Sequence, residues 1–193
     1  MRECTVKRDT KETEIELRLN FDGRGIHNIN TGIGFFDHMM GAVSLHSGFD
    51  IDMQCKGDLE VDTHHTIEDV GIVFGSAFAQ LTESKEGLSR FGSFTLPMDE
   101  ALAVCNIDIS GRPYLVFNSE FTGSKVGELD TQMIKEFFYA FAMNAKVTLH
   151  INLLYGSNDH HKSEAIFKAF AHALKLAVKI VDNQSILSTK GSL

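Results

Sequence analysis

The chain has 193 residues, of which 43% are hydrophobic and 23% charged, a composition typical of one globular domain or two small fused halves. Its 18 basic and 26 acidic residues leave a net charge of −8, which argues against nucleic acid and anionic membranes as partners. The three cysteines form no CxxC pair, so we expect reduced thiols and a cytoplasmic location. The N-terminus has no signal-peptide core, and the absence of any run of about 18 apolar residues argues against a membrane span.

Hydrophobic periodicity predicts two successive rounds of strands and helices. After an initial strand, turn and strand, the first round continues with a helix over about 36–46, one or two strands (49–55 and 59–62), and a helix over about 64–83. The second round has strands near 94–97, 101–110 and 113–121, a helix over 129–145, a strand over 147–154 and a helix over 160–181. Duplicated units of this kind indicate an α+β fold in which each half packs a β-sheet on helices.

An internal repeat supports the duplication and divides the chain at about 1–91 and 92–193. The segment HHTIE, which begins at His64, recurs as HHKSE 96 residues later, at His160. Further upstream, the alternating strand that follows Glu12 resembles the strand that follows Glu100, and a Gly-Arg turn closes each of them. Both halves therefore carry the same elements in the same order.

The HHxxE segment at each predicted helix start is the strongest chemical feature of the sequence. Residues i and i+4 lie on one face of a helix, so His64 and Glu68 can share one metal ion. His65 projects about 100° away, toward a different centre. Imidazole and carboxylate ligands suit Mn, Fe, Zn or Ni, and the second copy at His160 and Glu164 suggests a second, equivalent metal.

Other interpretations of the same segments remain open at this point. Each HHxxE could simply be a helix start, capped by Asp62 or Asp159. Two metals beside basic residues could also belong to a binuclear hydrolase of phosphate esters, or could only join subunits. A ferritin-like bundle is disfavoured, because its Glu-x-x-His order is reversed here and because 16 glycines and several alternating strands do not suit four long helices.

Long motifs then give the sequence a resemblance that covers almost the whole chain. They are RDTKET from Arg8, GIGFFDHM from Gly32, DTHHTIEDVG from Asp62, NDHHKSEAIFKA from Asn158, and the tail STKG from Ser188. Together these motifs resemble the imidazoleglycerol-phosphate dehydratase family of histidine biosynthesis. The resemblance implies two similar halves with the ribosomal protein S5 domain 2-like fold. Some members carry a fused phosphatase domain, for which 193 residues leave no room, so we expect none here.

The resemblance also implies a homo-oligomer of 24 subunits and two Mn²⁺ per active site. It assigns one metal to His38, His65, His160 and Glu164. It assigns the other to His64, Glu68, His161 and Glu136. Many relatives have histidine where this chain has Glu136, so this ligand departs from the family pattern, and a solvated helix residue is the alternative. The division agrees with the helical geometry, since each i, i+4 pair serves one metal.

The implied reaction is loss of water from imidazole glycerol phosphate to give imidazole acetol phosphate. The proton to be removed is not adjacent to a carbonyl, and two metals holding the substrate ring would favour an imidazolate that expels the hydroxyl. Glu12 is the candidate acid/base and His46 a candidate substrate contact; an exposed strand residue and a helix C-terminal histidine are the alternatives. The family positions that hold phosphate are Arg90, Arg112, Lys168, Ser188 and Lys190.

Two aspartates beside the predicted ligands allow two interpretations. Asp37 and Asp69 could orient metal-binding histidines, or they could cap and solvate their own helices. The remaining histidines, His27, His150 and His172, are expected to have no special role.

Overall fold

The computed structural model describes residues 1–181 and 186–188, and in this part of the chain it confirms the α+β fold. Its strands are β1 (Glu3–Asp9), β2 (Thr13–Asn20), β3 (His27–Asn30), β4 (Asp50–Gly57), β5 (Phe91–Met98), β6 (Ala101–Asp108), β7 (Tyr114–Asn118), β8 (Lys125–Val126), β9 (Leu129–Asp130) and β10 (Thr148–Tyr155). Its helices are α1 (Gly34–Ser47), α2 (His64–Leu81), α3 (Gln132–Ala145) and α4 (Asp159–Ala177).

The two halves repeat one sheet topology. The first four-stranded sheet has the order β1-β2-β4-β3 and the second has the order β5-β6-β10-β7. In each sheet an antiparallel hairpin comes first, and the last strand then inserts between the second and the third. The third and last strands are parallel, and α1 or α3 crosses between them. The halves are therefore alike in strand order and in strand direction.

Alternation along the strands explains why each sheet has one apolar face. In β2, Ile15, Leu17 and Leu19 are buried and the residues between them are exposed. The corresponding strand β6 buries alternate residues from Ala101 to Ile107 in the same way. Each buried face packs on helices, and the side chains between the buried ones in β2 and β6 are at least partly exposed. The core therefore lies between the sheets and the helices.

The two halves are joined through their helices, because α1 packs on α4 and α2 packs on α3. Nine phenylalanine side chains are among the largest fully buried groups, and several of them meet at these contacts, such as Phe74 and Phe141 with ring centroids 5.4 Å apart. Gly71 and Gly75 let α2 approach α3 closely. A Cβ atom built on Gly71 would lie 2.7 Å from the carbonyl oxygen of Phe137.

Some predicted boundaries are wrong for reasons of local hydrogen bonding. Of the one or two strands predicted here, the one over 59–62 does not form; these residues are a turn, closed by a bond from Val61 N to Asp58 O. Helix α3 begins at Gln132, not at 129, because residues 129–130 pair with β8. Helix α4 ends at Ala177, not at 181. No helix in the part of the chain that the structure describes is long and apolar enough to cross a membrane.

The α2–α3 contact makes a testable prediction. Gly71→Ala should lower the free energy of unfolding by about 1–3 kcal/mol, because its methyl group has no space against the α3 backbone. The control is Gly34→Ala, where a Cβ meets nothing within 4 Å and alanine favours the first turn of α1. Denaturant unfolding measures both variants, and a Gly71→Ala protein as stable as wild type would contradict the close approach.

Candidate metal centre

Helices α1 and α4 bring together three side chains of types that can hold a metal ion. His38 Nε2 lies 3.1 Å from Glu164 Oε1, and His160 Nε2 lies 2.9 Å from the same oxygen. The ligand atoms of all three residues lie within 4.8 Å of one another. Across residues 1–181 and 186–188, this is the one group of three His, Cys, Asp or Glu side chains with that spacing. It contains three of the four ligands expected for one metal.

The sequence places His160 and Glu164 side by side through the start of α4. The cap is Asn158, whose side chain accepts from the backbone N–H groups of His160 and His161. Asp159, one of the two proposed caps, lies inside the helix and accepts from the Lys162 ammonium at 2.8 Å. Capping uses only the backbone N–H groups, so the imidazoles of His160 and His161 take no part in it. Helix capping and metal binding are therefore compatible at this helix start.

Glu164 is the most constrained member of the cluster. Its side chain is only 9% exposed, whereas those of His38 and His160 are 53% and 44% exposed. Burial alone would raise the pKa of Glu164, but hydrogen bonds from Lys168, His38 and His160 outweigh it and lower the pKa to about 2. The carboxylate is therefore ionised over the whole physiological range, as a metal ligand must be.

The corresponding residues of the first half are less closely gathered. His64 Nε2 lies 3.5 Å from Glu68 Oε2, and both side chains are more than 40% exposed. Asp62 accepts from the His64 backbone N–H at 2.7 Å, close to its proposed capping role. Glu136 lies on α3 at the position that matches His38 on α1, and it is half-buried. Within the described part of one chain these three residues do not form a second group.

The second histidine of each pair points to a different carboxylate. His65 Nδ1 lies 3.0 Å from Asp58 Oδ2, and His161 Nδ1 lies 2.6 Å from Glu100 Oε2. The hydrogen bond to Asp58 raises the pKa of His65, and the bond to Glu100 raises the pKa of His161. The rings of His65 and His161 therefore point away from those of His64 and His160, as predicted. Their Nδ1 atoms form hydrogen bonds with acidic side chains.

Glu12 lies in a well-anchored segment at the start of β2. The Thr10 hydroxyl accepts from the backbone N–H groups of Glu12 and Thr13. Thr13 in turn donates to Asp69 on α2 at 2.5 Å. The Glu12 side chain is itself half-exposed, and its Oε1 lies 3.8 Å from His65 Nε2. The segment is therefore fixed to the helix that carries His64 and His65, while the carboxylate stays accessible.

His46 forms a pair with a histidine for which the sequence predicted no role. His46 Nδ1 lies 3.2 Å from His172 Nε2, and the His172 ring stacks on Phe94 with centroids 4.2 Å apart. Burial lowers the pKa of both imidazoles, and the positive charge of Lys168 adds to the effect on His46. Lys168, one turn of α4 beyond Glu164, forms an ion pair with it and also lies 3.6 Å from Met98 Sδ.

The other proposed phosphate contacts lie at the ends of the second sheet. Arg90 binds Asp108 through two nitrogens and donates to the Leu187 carbonyl at 2.5 Å, which brings the residue before Ser188 beside it. Arg112 is exposed in the turn between β6 and β7. Ser188 donates its backbone N–H to Ile186 O. Lys190 lies outside the described residues.

Among the residues that the structure describes, Asp37 and Asp69 bind groups other than histidine. Asp37 accepts from the backbone N–H and hydroxyl of Thr31, and Asp69 pairs with Arg8 at 2.9 Å and with Thr13. Asp58 and Glu100, for which the sequence predicts no role, contact His65 and His161. The match between Glu12 and Glu100 in the internal repeat was the one available signal. Nothing in the local sequence distinguishes Asp58.

The donor set of the α1–α4 cluster suits a divalent transition metal. Two imidazole nitrogens and one carboxylate oxygen favour Mn, Fe, Zn or Ni over Mg or Ca. The exposed sides of His38 and His160 leave room for a further ligand and a substrate, as a catalytic metal requires. Phe35 packs beside this open side, with its ring centroid 5.0 Å from that of His160.

Comparisons with known proteins point to one family. The family model for imidazoleglycerol-phosphate dehydratase matches residues 31–174. The imidazoleglycerol-phosphate dehydratase of Clostridioides difficile strain 630 is 53% identical over 193 residues and is covered completely. The crystal structure of the Staphylococcus aureus enzyme superposes with a TM-score of 0.84 at 40% identity, covering 92% of this chain and 99% of that one. The Pyrococcus furiosus enzyme in complex with (S)-C348 gives 0.82 at 34% identity, covering 97% and 100%.

The buried histidine pair predicts a pH dependence of stability. Because the folded pKa values of His46 and His172 are lowered, unfolded chains bind protons first, and stability falls as the pH drops below about 6.5. His172→Gln should reduce this fall. The control is His150→Gln, on the half-buried outer side of β10. Unfolding midpoints at about pH 8 and pH 5.5 measure the effect, and an unchanged pH dependence in His172→Gln would contradict it.

Proposed function

The chain belongs to the imidazoleglycerol-phosphate dehydratase family, hydro-lyases of histidine biosynthesis, and from this membership we propose a two-metal mechanism for its dehydration of imidazole glycerol phosphate. The product is imidazole acetol phosphate. Three unpaired cysteines are compatible with a reducing compartment, so we place the reaction in the cytoplasm. The observation that carries the proposal is the cluster of His38, His160 and Glu164.

One Mn²⁺ is assigned to His38, His65, His160 and Glu164, and a second to His64, Glu68, Glu136 and His161. Support for the first set is strongest, because three of its members already share one small volume. Support for the second rests on the His64–Glu68 pair and on the match between Glu136 and His38 in the two halves. Glutamate at position 136 supplies an oxygen ligand, which Mn²⁺ accepts readily.

We propose that each metal site is completed by another copy of the chain. His65 lies at the start of α2, where its Nδ1 contacts Asp58 and its Nε2 lies 3.8 Å from Glu12, outside the cluster on α1 and α4. The His65 of a second copy would supply the missing ligand, and the assembly implied by the family has 24 subunits. Metal binding and subunit association would then support each other.

The metals, when bound, supply Lewis acidity that lowers the pKa of the N–H groups of a substrate imidazole. The chain supplies the remaining groups. His46 contacts the substrate, and its lowered pKa leaves it neutral at physiological pH, able to accept or donate one hydrogen bond. Arg90, Arg112, Lys168, Ser188 and Lys190 hold the phosphate. Arginine forks and lysine point charges suit that task, and they offset locally the net charge of −8.

Glu12 is the proposed acid/base that transfers the proton at carbon. Its backbone is fixed by Thr10 and Thr13, so the carboxylate is held near the metal-binding end of α2. Its side chain is 54% exposed, which leaves it free to approach a bound substrate. Anchored backbone with an accessible carboxylate is the arrangement that proton transfer to or from carbon requires.

The role of Glu12 can be tested by substitution. Glu12→Gln should keep the bound metal but lower kcat by about 10²- to 10⁴-fold, because the amide cannot transfer the proton. Glu14→Gln, two residues further along the exposed face of β2, is the matched control and should retain its activity. Metal analysis and steady-state kinetics are measured together. Near-normal turnover of Glu12→Gln would refute the assignment.

The proposed reaction differs from phosphate-ester hydrolysis in its products. With imidazole glycerol phosphate, the protein should form one ketone per turnover and release no inorganic phosphate. Removal of metal by a chelator should abolish turnover, and Mn²⁺ should restore it, because the metals activate the ring. Release of phosphate, or full activity of metal-free protein, would contradict the mechanism.

If a second copy of the chain completes each metal site, enzymatic activity should depend on formation of the oligomer. Protein diluted or mutated until it is monomeric in sedimentation should be nearly inactive, because His65 of its own chain does not reach the cluster. Activity should return when the oligomer re-forms with Mn²⁺. A monomer with the full specific activity would show that one chain contains the whole site.

A further inference from the structure

Two carboxylates that have no place in the proposed ligand sets bind the outward-turned histidines. Asp58 follows β4, and both of its oxygens lie within 3.1 Å of His65 Nδ1. Glu100 lies in the turn before β6, and its Oε2 lies 2.6 Å from His161 Nδ1. The two acids come from different connections of the fold but contact the same ring atom of the matching histidine.

These contacts fix the position of the imidazole proton. An ionised carboxylate only accepts hydrogen bonds, so Nδ1 must be the donor in both pairs. In a neutral imidazole the Nε2 atom then carries the lone pair. The Nε2 atoms of His65 and His161 lie 3.8 Å from Glu12 and 3.5 Å from Asp99, on the side of each ring away from its Nδ1 bond. Each ring is thus prepared to bind through Nε2.

Glu100 is held rigidly in this role. Its Oε1 accepts from the backbone N–H groups of Ser157 and Asn158 at 3.0 and 2.7 Å and from the Ser157 hydroxyl at 3.1 Å. These bonds leave Oε2 for His161. Asn158 is also the cap of α4, so the same few residues fix both the helix start and the ring.

The two halves use carboxylates from different positions of the repeat to contact Nδ1 of the matching histidine. Glu12 and Glu100 occupy matching positions, each directly before the second strand of its sheet. Glu100 contacts its histidine at Nδ1, whereas Glu12 is 3.8 Å from Nε2 of His65, because Asp58 already holds Nδ1. Because Asp58 contacts Nδ1 of His65, Glu12 is not needed to orient that ring, and its carboxylate stays accessible.

We propose that Asp58 and Glu100 are positioning residues that hold His65 and His161 with Nε2 free for metal. The inference rests on the proposed function for the division of ligands between two metals. An acceptor on the second nitrogen of a ligand histidine fixes its tautomer and increases its basicity, and its loss typically weakens metal binding by about 10- to 100-fold. Each acid should therefore influence one metal site.

The test combines metal affinity with the tautomer of the metal-free protein. The variants Asp58→Asn and Glu100→Gln keep the side-chain shape. Their matched controls are Asp52→Asn and Glu16→Gln. Both change exposed carboxylates on strands: Asp52 accepts a hydrogen bond from Asn28, and Glu16 forms an ion pair with Lys7. Neither carboxylate contacts a histidine among the residues that the structure describes. Mn²⁺ titration of the assembled proteins is followed by electron paramagnetic resonance. Solid-state ¹⁵N NMR of histidine-labelled protein, at a pH where the rings are neutral, reports the protonated nitrogen.

We expect each variant to weaken one of two Mn²⁺ equivalents by about 10- to 100-fold and to leave the other unchanged. One histidine should lose its fixed Nδ1–H form, because an amide serves as donor or acceptor, whereas a merely loosened turn would not move the proton. If wild type binds two Mn²⁺ and both variants keep the wild-type Mn²⁺ affinity and histidine tautomer, the positioning role of Asp58 and Glu100 is wrong, while the proposed metal centre stands. A wild-type protein that takes up no Mn²⁺ would overturn the metal centre and the inference together.

Discussion

The i, i+4 geometry at two helix starts is the constraint on which the rest of the site depends. On α4 it sets His160 beside Glu164, and on α2 it sets His64 beside Glu68. Packing of α1 on α4 then adds His38 to the second-half pair. The same geometry turns the second histidine of each pair about 100° away, so it cannot join its neighbour's cluster. A site made from these parts draws on more than one helix, and in the proposed function on more than one chain.

The two halves have the same backbone arrangement but carry different functional side chains. Both sheets have the same strand order, and each half places a HHxxE segment at the start of its last helix. The functional differences lie in side chains at the ends of the elements. Glu100 is bound by His161, Ser157 and Asn158, whereas its counterpart Glu12 keeps an accessible carboxylate. A repeated fold thus allows one copy of a residue to become structural while the other remains available for chemistry.

Much of the fold could be predicted from the sequence, because local pattern and burial agree. Alternation in β2 and β6 and the apolar face of α4 correspond to the observed core. The errors occur where particular hydrogen bonds of turns and short hairpins decide the boundary. A bond from Asp58 N to Glu12 O contributes to the turn that replaces a predicted strand, and pairing of Leu129 with Val126 delays the start of α3. The proximity of His64 to Glu68 and of His160 to Glu164 follows from helical spacing. The contacts of Asp58 with His65 and of His46 with His172 depend on tertiary packing, which no local pattern encodes.

In the proposed function two metals lie between the helix starts, and diffraction at the manganese absorption edge tests this arrangement most directly. Crystals of the protein assembled with Mn²⁺ should show two anomalous peaks per chain. One peak should lie among His38, His160 and Glu164 and the other beside His64 and Glu68, with His65 and His161 of neighbouring copies completing the sites. Peaks elsewhere, a single peak, or complete ligand sets from one chain would contradict this arrangement.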